Sequence, residues 1–166
     1  KEYNIDAKNA EVLAKNIDVV EFFEKVAEKI DARFVLPWVT GELLRFLNYN
    51  KKKLDELEGF KVEHFVELLK LVKEGKITEL QGKEMLNKFY PKSFNPNEKK
   101  IEGKITDKKE LEKVARKVVS ANEKAVEDYK KGEKKSFEFL MGVIMKETNK
   151  RADFKVAREV LRKLLE

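Results

Sequence analysis

Residues 136–165 read SFEFLMGVIMKETNKRADFKVAREVLRKLL, and their pattern decides the fold class. Two helices around a tight polar turn are expected. The first, Phe137 to Met145, is apolar on nearly every side through Phe137, Phe139, Leu140, Met141, Val143, Ile144 and Met145. Such a helix is normally buried among others. Met141 and Met145 therefore read as core packing rather than an adaptable binding surface. Gly142 stands mid-helix, where glycine costs about 1 kcal/mol relative to alanine. The expected compensation is the close approach of a neighbouring helix. The second helix opens at Asp153, a favoured N-cap type, and is amphipathic. Val156, Ala157, Val160, Leu161, Leu164 and Leu165 form its apolar stripe, with Lys155, Arg158 and Arg162 on another face.

The totals agree with a helical chain. Of 166 residues, 42% are hydrophobic and 41% charged, while three prolines and seven glycines leave little material for strands and turns. The absence of cysteine excludes disulfides and thiolate metal sites, and a single histidine makes a histidine metal site or a Ser-His-Asp triad a poor fit. No apolar run is long enough to span a bilayer, and no signal-peptide pattern is present. Because it opens at Lys1, the chain reads as a piece of a longer protein, although a lost initiator or a trimmed tag would look the same. Net charge is +6. Residues 1–95 hold 17 Lys/Arg against 17 Asp/Glu, whereas residues 96–166 hold 20 against 14. An asymmetric basic half points to an anionic partner; a lysine-rich or heat-adapted surface is the alternative.

Upstream, Asp6 is placed to cap a helix through Lys15, Asp18 with Glu21 reads as a capping box, and Asp31 opens a third helix. Pro37 must kink that helix or mark its true start, and Trp38 reads as a core anchor. A fourth helix, Val62 to Glu74, stops at Gly75, a C′ residue type. Thr78 with Gln81 boxes a fifth, which Pro91 ends. His64, among glutamates, reads as a solvated surface residue. Asp107 with Glu110 opens a sixth helix, with Leu111, Val114, Ala115, Val118 and Val119 inward, and Asn122 caps a short seventh closed by Gly132. The fold class is all-α, as two small helical bundles joined by a linker: residues 1–93, a linker over 94–106, and a tail over 107–166. The echo of EGKITEL (74–80) and EGKITDK (102–108) is stop-and-start helix grammar. Its Gly-Lys pairs lack the G-x-x-x-x-G-K-[ST] spacing and the preceding strand of a phosphate loop. With no supported carboxylate pair, metal set or nucleophile elbow, the chain offers no catalytic residues and no metal ligands.

The stretch from Asn122 to Leu165 resembles the tail of the GatB/YqeY family. The matching pieces are Asn122, Val126, Asp128-Tyr129, Gly132 and its following lysines, Phe139-Leu140, Gly142, Met145-Lys146, Thr148, Ala152 and the closing leucine-rich helix. Upstream, WVTGELLRFLN (38–48) and KLVKEGKIT (70–78) resemble the helical domain that precedes the tail. Two departures stand out. Asn149-Lys150-Arg151 replaces the usual glycine turn, and Pro37 replaces a polar residue. The resemblance points to the B subunit of the glutamyl-tRNA(Gln)/aspartyl-tRNA(Asn) amidotransferase, with the archaeal E subunit as second choice. It implies a cytoplasmic enzyme that amidates Glu-tRNA(Gln) or Asp-tRNA(Asn) using ATP and Mg2+, with ammonia from a glutaminase subunit. That chemistry belongs to a catalytic domain of the same polypeptide, leaving this portion without cofactors of its own and in contact with tRNA.

Residue pattern and resemblance converge on one basic surface. Its candidate phosphate contacts are Lys130, Lys131, Lys134, Lys135, Lys146, Lys150, Arg151, Lys155 and Arg158. Tyr129 could stack on a base or simply pack at a helix rim. The competing reading is a helical protein-docking module, whose mark would be weak RNA affinity and an exposed apolar groove.

Overall fold

The computed structural model describes Tyr3 and residues 5–166, and the chain divides into two compact units, Lys1–Ile101 and Glu102–Glu166. Among the described residues there is no strand, only an isolated parallel bridge between Ile105 and Ala152.

The first unit contains α1 (Ala7–Ala14), α2 (Ile17–Ala27), α3 (Ala32–Pro37), α4 (Leu44–Asn50), α5 (Val62–Lys73) and α6 (Glu79–Asn87). Side-chain caps start three of them where the sequence places them. Asp6 accepts from Asn9 N–H at 3.0 Å, Asp31 from Phe34 N–H at 3.2 Å, and Thr78 with Gln81 forms a reciprocal capping box. Asp18 departs from its expected role: α2 begins at Ile17 after Asn16, and the Asp18 carboxylate instead accepts from the distant Leu54 N–H at 3.1 Å. Pro37 is the last residue of α3, yet the helical path continues past it. The residues after it, Trp38–Leu43, take one wide π-helical turn that runs on into α4. A proline deprives the preceding turn of a donor and crowds its carbonyls. The wider turn accommodates this, and the Thr40 hydroxyl donates to Leu36 O at 2.9 Å.

A run of aromatic rings fills this core: Phe22 on Phe65 (5.2 Å between centroids), Phe60 on Phe89 (5.8 Å) and Phe89 on Phe94 (5.2 Å). Offset and edge-on pairs of this kind add to the burial of each ring. Trp38 is buried as expected, against Gly82 of α6. His64 is not freely solvated. Its Nδ1 lies 2.8 Å from Ser93 Oγ, which also accepts from Lys61 N–H and donates to Gly59 O. One buried hydroxyl therefore joins the start of α5 to the segment after α6.

Residues of the expected linker, 94–106, divide between the two units. Phe94 and Ile101 pack on the first core, and Asn97 donates to Glu67 at 2.7 Å. Ile105 is buried in the second core. The second unit contains α7 (Lys108–Ala121), α8 (Glu123–Lys130), α9 (Lys134–Glu147) and α10 (Phe154–Leu165). Leu111, Ala115 and Val118 of α7 meet Leu140, Met141 and Ile144 of α9 and Ala157, Val160 and Leu161 of α10. Asn122 does not cap α8 with its side chain but donates to Val118 O at 2.8 Å, closing α7. The α9 helix is less buried than its composition predicts. Phe139 is 54% exposed, and Gly142 faces open space rather than a neighbouring helix.

Gly82 is the glycine that packing requires. A Cβ there would lie 2.7 Å from Val72 Cγ2 and 2.9 Å from Trp38 Cη2, both on stiff side chains. Overpacking of this kind costs about 1–3 kcal/mol, against roughly 1 kcal/mol gained in helix propensity. Gly82→Ala is expected to lower the urea midpoint of the first unit, whereas an alanine at an uncrowded helix position would raise it.

Candidate nucleic-acid interface

The basic surface of the second unit is built outward from the turn between α9 and α10. Thr148 is buried, and its hydroxyl donates to Ile144 O at 2.8 Å and accepts from Ala152 N–H at 3.3 Å. Asn149 and Lys150 both take left-handed backbone conformations, with φ of 51° and 61°. The turn thus forms without glycine; asparagine visits this region readily, lysine less so. Ala152 is held by the bridge to Ile105, whose N–H donates to Arg151 O and whose carbonyl accepts from Asp153 N–H, each at 2.8 Å.

Asp153 completes the turn. One carboxylate oxygen accepts from Lys155 and Val156 N–H at 2.9 and 3.0 Å, capping α10, while the other pairs with Lys104 Nζ at 2.6 Å. Burial pushes this carboxyl up, but the Lys104 hydrogen bond and charge and the two backbone N–H groups outweigh it. The net pKa lies below the ordinary 3.8.

The nine candidate residues are not equivalent. Arg151 is committed to structure, donating from Nε to Gly103 O at 2.9 Å and from Nη1 to Glu102 at 3.1 Å. Lys131 lies 3.8 Å from Glu127, a highly exposed pair that holds its lysine weakly. Arg158 pairs with Glu138 at 2.9 Å while its guanidinium lies over the rings of Phe137 (5.1 Å) and Phe154 (5.9 Å). Among the described residues, Lys130, Lys134, Lys135, Lys146 and Lys155 make no ion pair, and all five are exposed. Lys150, at the turn, is half-buried.

Three of the nine come together. Lys134, Lys135 and Arg158 line an open pocket of about 380 Å³ with Tyr129, Phe137, Glu138 and Arg162. Tyr129 packs on Phe137 with ring centroids 5.6 Å apart, and the two rings form the pocket's aromatic wall. Arg162 is outside the nine; its position one turn beyond Arg158 is the spacing that brings it to the same pocket. Four cations and one carboxylate thus surround an aromatic wall, with the Arg158 guanidinium lying over the Phe137 ring. The other six, Lys130, Lys131, Lys146, Lys150, Arg151 and Lys155, do not line this pocket. Among the described residues no three His, Asp or Glu side chains converge to hold a metal ion, and no helix is long and apolar enough to cross a membrane.

The GatB domain model matches residues 21–165, most of the first unit and nearly all of the second. The chain belongs to the GatB domain family. It is 36% identical over its whole length to the GatB protein of Methanocaldococcus jannaschii, the B subunit of an aspartyl/glutamyl-tRNA(Asn/Gln) amidotransferase, of which it covers 37%. It is 36% identical over 98% of its length to the equivalent protein of Clostridium beijerinckii and 32% identical over all of it to that of Thermotoga maritima, covering 35% of each. The chain therefore spans about a third of the length of the curated relatives it matches, and is homologous to the C-terminal region of GatB.

In this GatB-family tail, Asp153 supplies an acid-sensitive joint. A lowered carboxyl pKa stabilises the fold fully above the ordinary value of 3.8, and that contribution fades as pH falls below it. Asp153→Ala removes cap and ion pair together and is expected to cost about 1–2 kcal/mol at pH 7. Asp153→Asn keeps the cap and should cost less. Denaturant titrations at pH 7 and pH 3 check this, with the difference between native Asp153 and the asparagine variant shrinking at pH 3.

Proposed function

We propose that this chain is the tRNA-gripping portion of an ATP-dependent tRNA amidotransferase, holding the tRNA body through the basic surface of its second unit. The observation that carries the reading is the pocket of Lys134, Lys135, Arg158 and Arg162 around Tyr129 and Phe137, set within a unit whose lysines lie near helix ends and turns. Cations so placed meet a phosphate backbone without reading base edges, as recognition of a folded RNA by its shape requires. Family membership supplies the context. The named relatives are tRNA amidotransferase subunits; on this reading the amidation of Glu-tRNA(Gln) or Asp-tRNA(Asn), with ATP and Mg2+, belongs to a catalytic domain of the same subunit. Ammonia would come from a glutaminase partner, in the cytoplasm.

The test is a titration of the chain with tRNA(Gln), tRNA(Asn) and an unrelated tRNA at several salt concentrations. With about 4 phosphates neutralised, the log–log salt slope is expected near −3 to −4. Changing Lys130, Lys134, Lys155 and Arg162 to glutamine touches only exposed side chains, and should flatten that slope and weaken binding at least tenfold while the helical circular dichroism stays unchanged. Arg151 is left intact because its loss would loosen the Glu102–Gly103 segment. No binding at low salt by the native chain would sink the proposal in favour of a protein-docking module.

A further inference from the structure

Gly142 and Phe139 are unexplained by the fold that contains them. A glycine in a helix interior is destabilising by about 1 kcal/mol relative to alanine. Where Gly82 is justified by the atoms around it, a Cβ on Gly142 would meet nothing within 4 Å. One turn earlier on the same face, away from the unit's core, a large aromatic side chain is left 54% exposed at Phe139. Lys135 and Lys146 complete the stripe at i, i+4, i+7 and i+11, and both are exposed. An aromatic ring, a bare stretch of helix backbone and two flanking cations thus share one line along α9. From this we infer that the α9 stripe Lys135–Phe139–Gly142–Lys146 is a nucleotide-binding face. On it an unstacked base of the bound RNA lies on the Phe139 ring, and the adjoining ribose–phosphate passes close over Gly142 between the two lysines.

The chemistry favours RNA as the occupant. Base stacking on an aromatic side chain tolerates any base and needs no edge readout, and sequence-specific RNA contacts use bases splayed from loops. Beside the stripe opens a cleft of about 510 Å³, which Phe139 and Lys135 line together with Lys124, Glu123 and Asp128. Carboxylates in that wall repel a phosphate and accept hydrogen bonds from the amino groups of a base. They orient the nucleotide with its base toward the cleft and its phosphate toward Lys135 or Lys146. Gly142 fits the same arrangement, because any side chain there would hold the sugar–phosphate away from the helix. The face is distinct from the Arg158 pocket: Lys135 borders that pocket and the cleft alike, while neither Phe139 nor Gly142 lines the pocket.

This inference rests on the proposed tRNA binding, and the experiment separates the two. Native chain, Phe139→Ala, Phe139→Trp and Gly142→Ala are titrated with tRNA(Gln) and tRNA(Asn) transcripts across salt concentrations, and each is melted alone. Phe139→Ala is expected to weaken binding about 5- to 150-fold, the range of one lost stack, with the salt slope unchanged because no charge is removed. Phe139→Trp should retain affinity. Gly142→Ala should melt at a higher temperature than the native chain yet bind tRNA several-fold more weakly. A side chain kept small for the fold's own sake could not give that opposition. If the native chain binds tRNA and the Lys130/Lys134/Lys155/Arg162 variant does not, but Phe139→Ala and Gly142→Ala bind like the native chain, the α9 face is overturned and the basic-surface reading stands. If the native chain does not bind tRNA, both fall.

Discussion

The second unit depends on closing the α9–α10 turn without leaving a buried polar group unsatisfied. A buried donor or acceptor without a partner costs about 1–3 kcal/mol, and this turn folds back over a sealed core. The solution is shared among consecutive residues. Thr148 ties the last carbonyls of α9 to Ala152. The two left-handed residues reverse the chain. Asp153 caps α10, and Arg151 anchors the incoming Glu102–Gly103 segment. These residues close the turn from inside, with Lys104 paired to Asp153. Arg151, the most strongly positioned cation of the group, is also the least available to a ligand.

The same division accounts for what was legible in the sequence. Helices, caps and core positions follow from periodicity and from residue types whose hydrogen bonds are local, so Asp6, Asp31, the Thr78–Gln81 box and Asp153 lie where their spacing places them. The failures share a cause: each residue found a partner far away in sequence or lost one expected nearby. Asp18 reaches Leu54, His64 meets Ser93, and Asn122 turns back to Val118. No local pattern distinguishes a capping aspartate from one recruited by a loop 36 residues on. Pro37 belongs with these, since whether a helix stops or widens depends on packing on both sides of it. Composition places the excess of positive charge in residues 96–166, but which cations share a pocket is a tertiary fact. Arg158 and Arg162 join Lys134 and Lys135 because α10 returns alongside α9.

Gly82 and Gly142 make the sharper comparison, because in sequence they are indistinguishable: both are lone glycines within helical patterns. The structure separates them by the space around their missing side chains. At Gly82 the ring of Trp38 and a methyl of Val72 occupy the volume a Cβ would need, so the local cost of glycine is offset by packing between elements. At Gly142 no atom of the described residues lies within 4 Å of where a Cβ would stand, so packing does not offset the cost. A position that loses stability without a structural return is where function is expected to act, and the exposed Phe139 beside it breaks the burial pattern in the same direction. Two violations on one helix face, bracketed by lysines, weigh more than either alone. The apolar helix whose composition announced a buried core is therefore two-sided: one face closes the unit, and the other carries the exposed stripe of Lys135, Phe139, Gly142 and Lys146 on which the nucleotide-binding proposal rests.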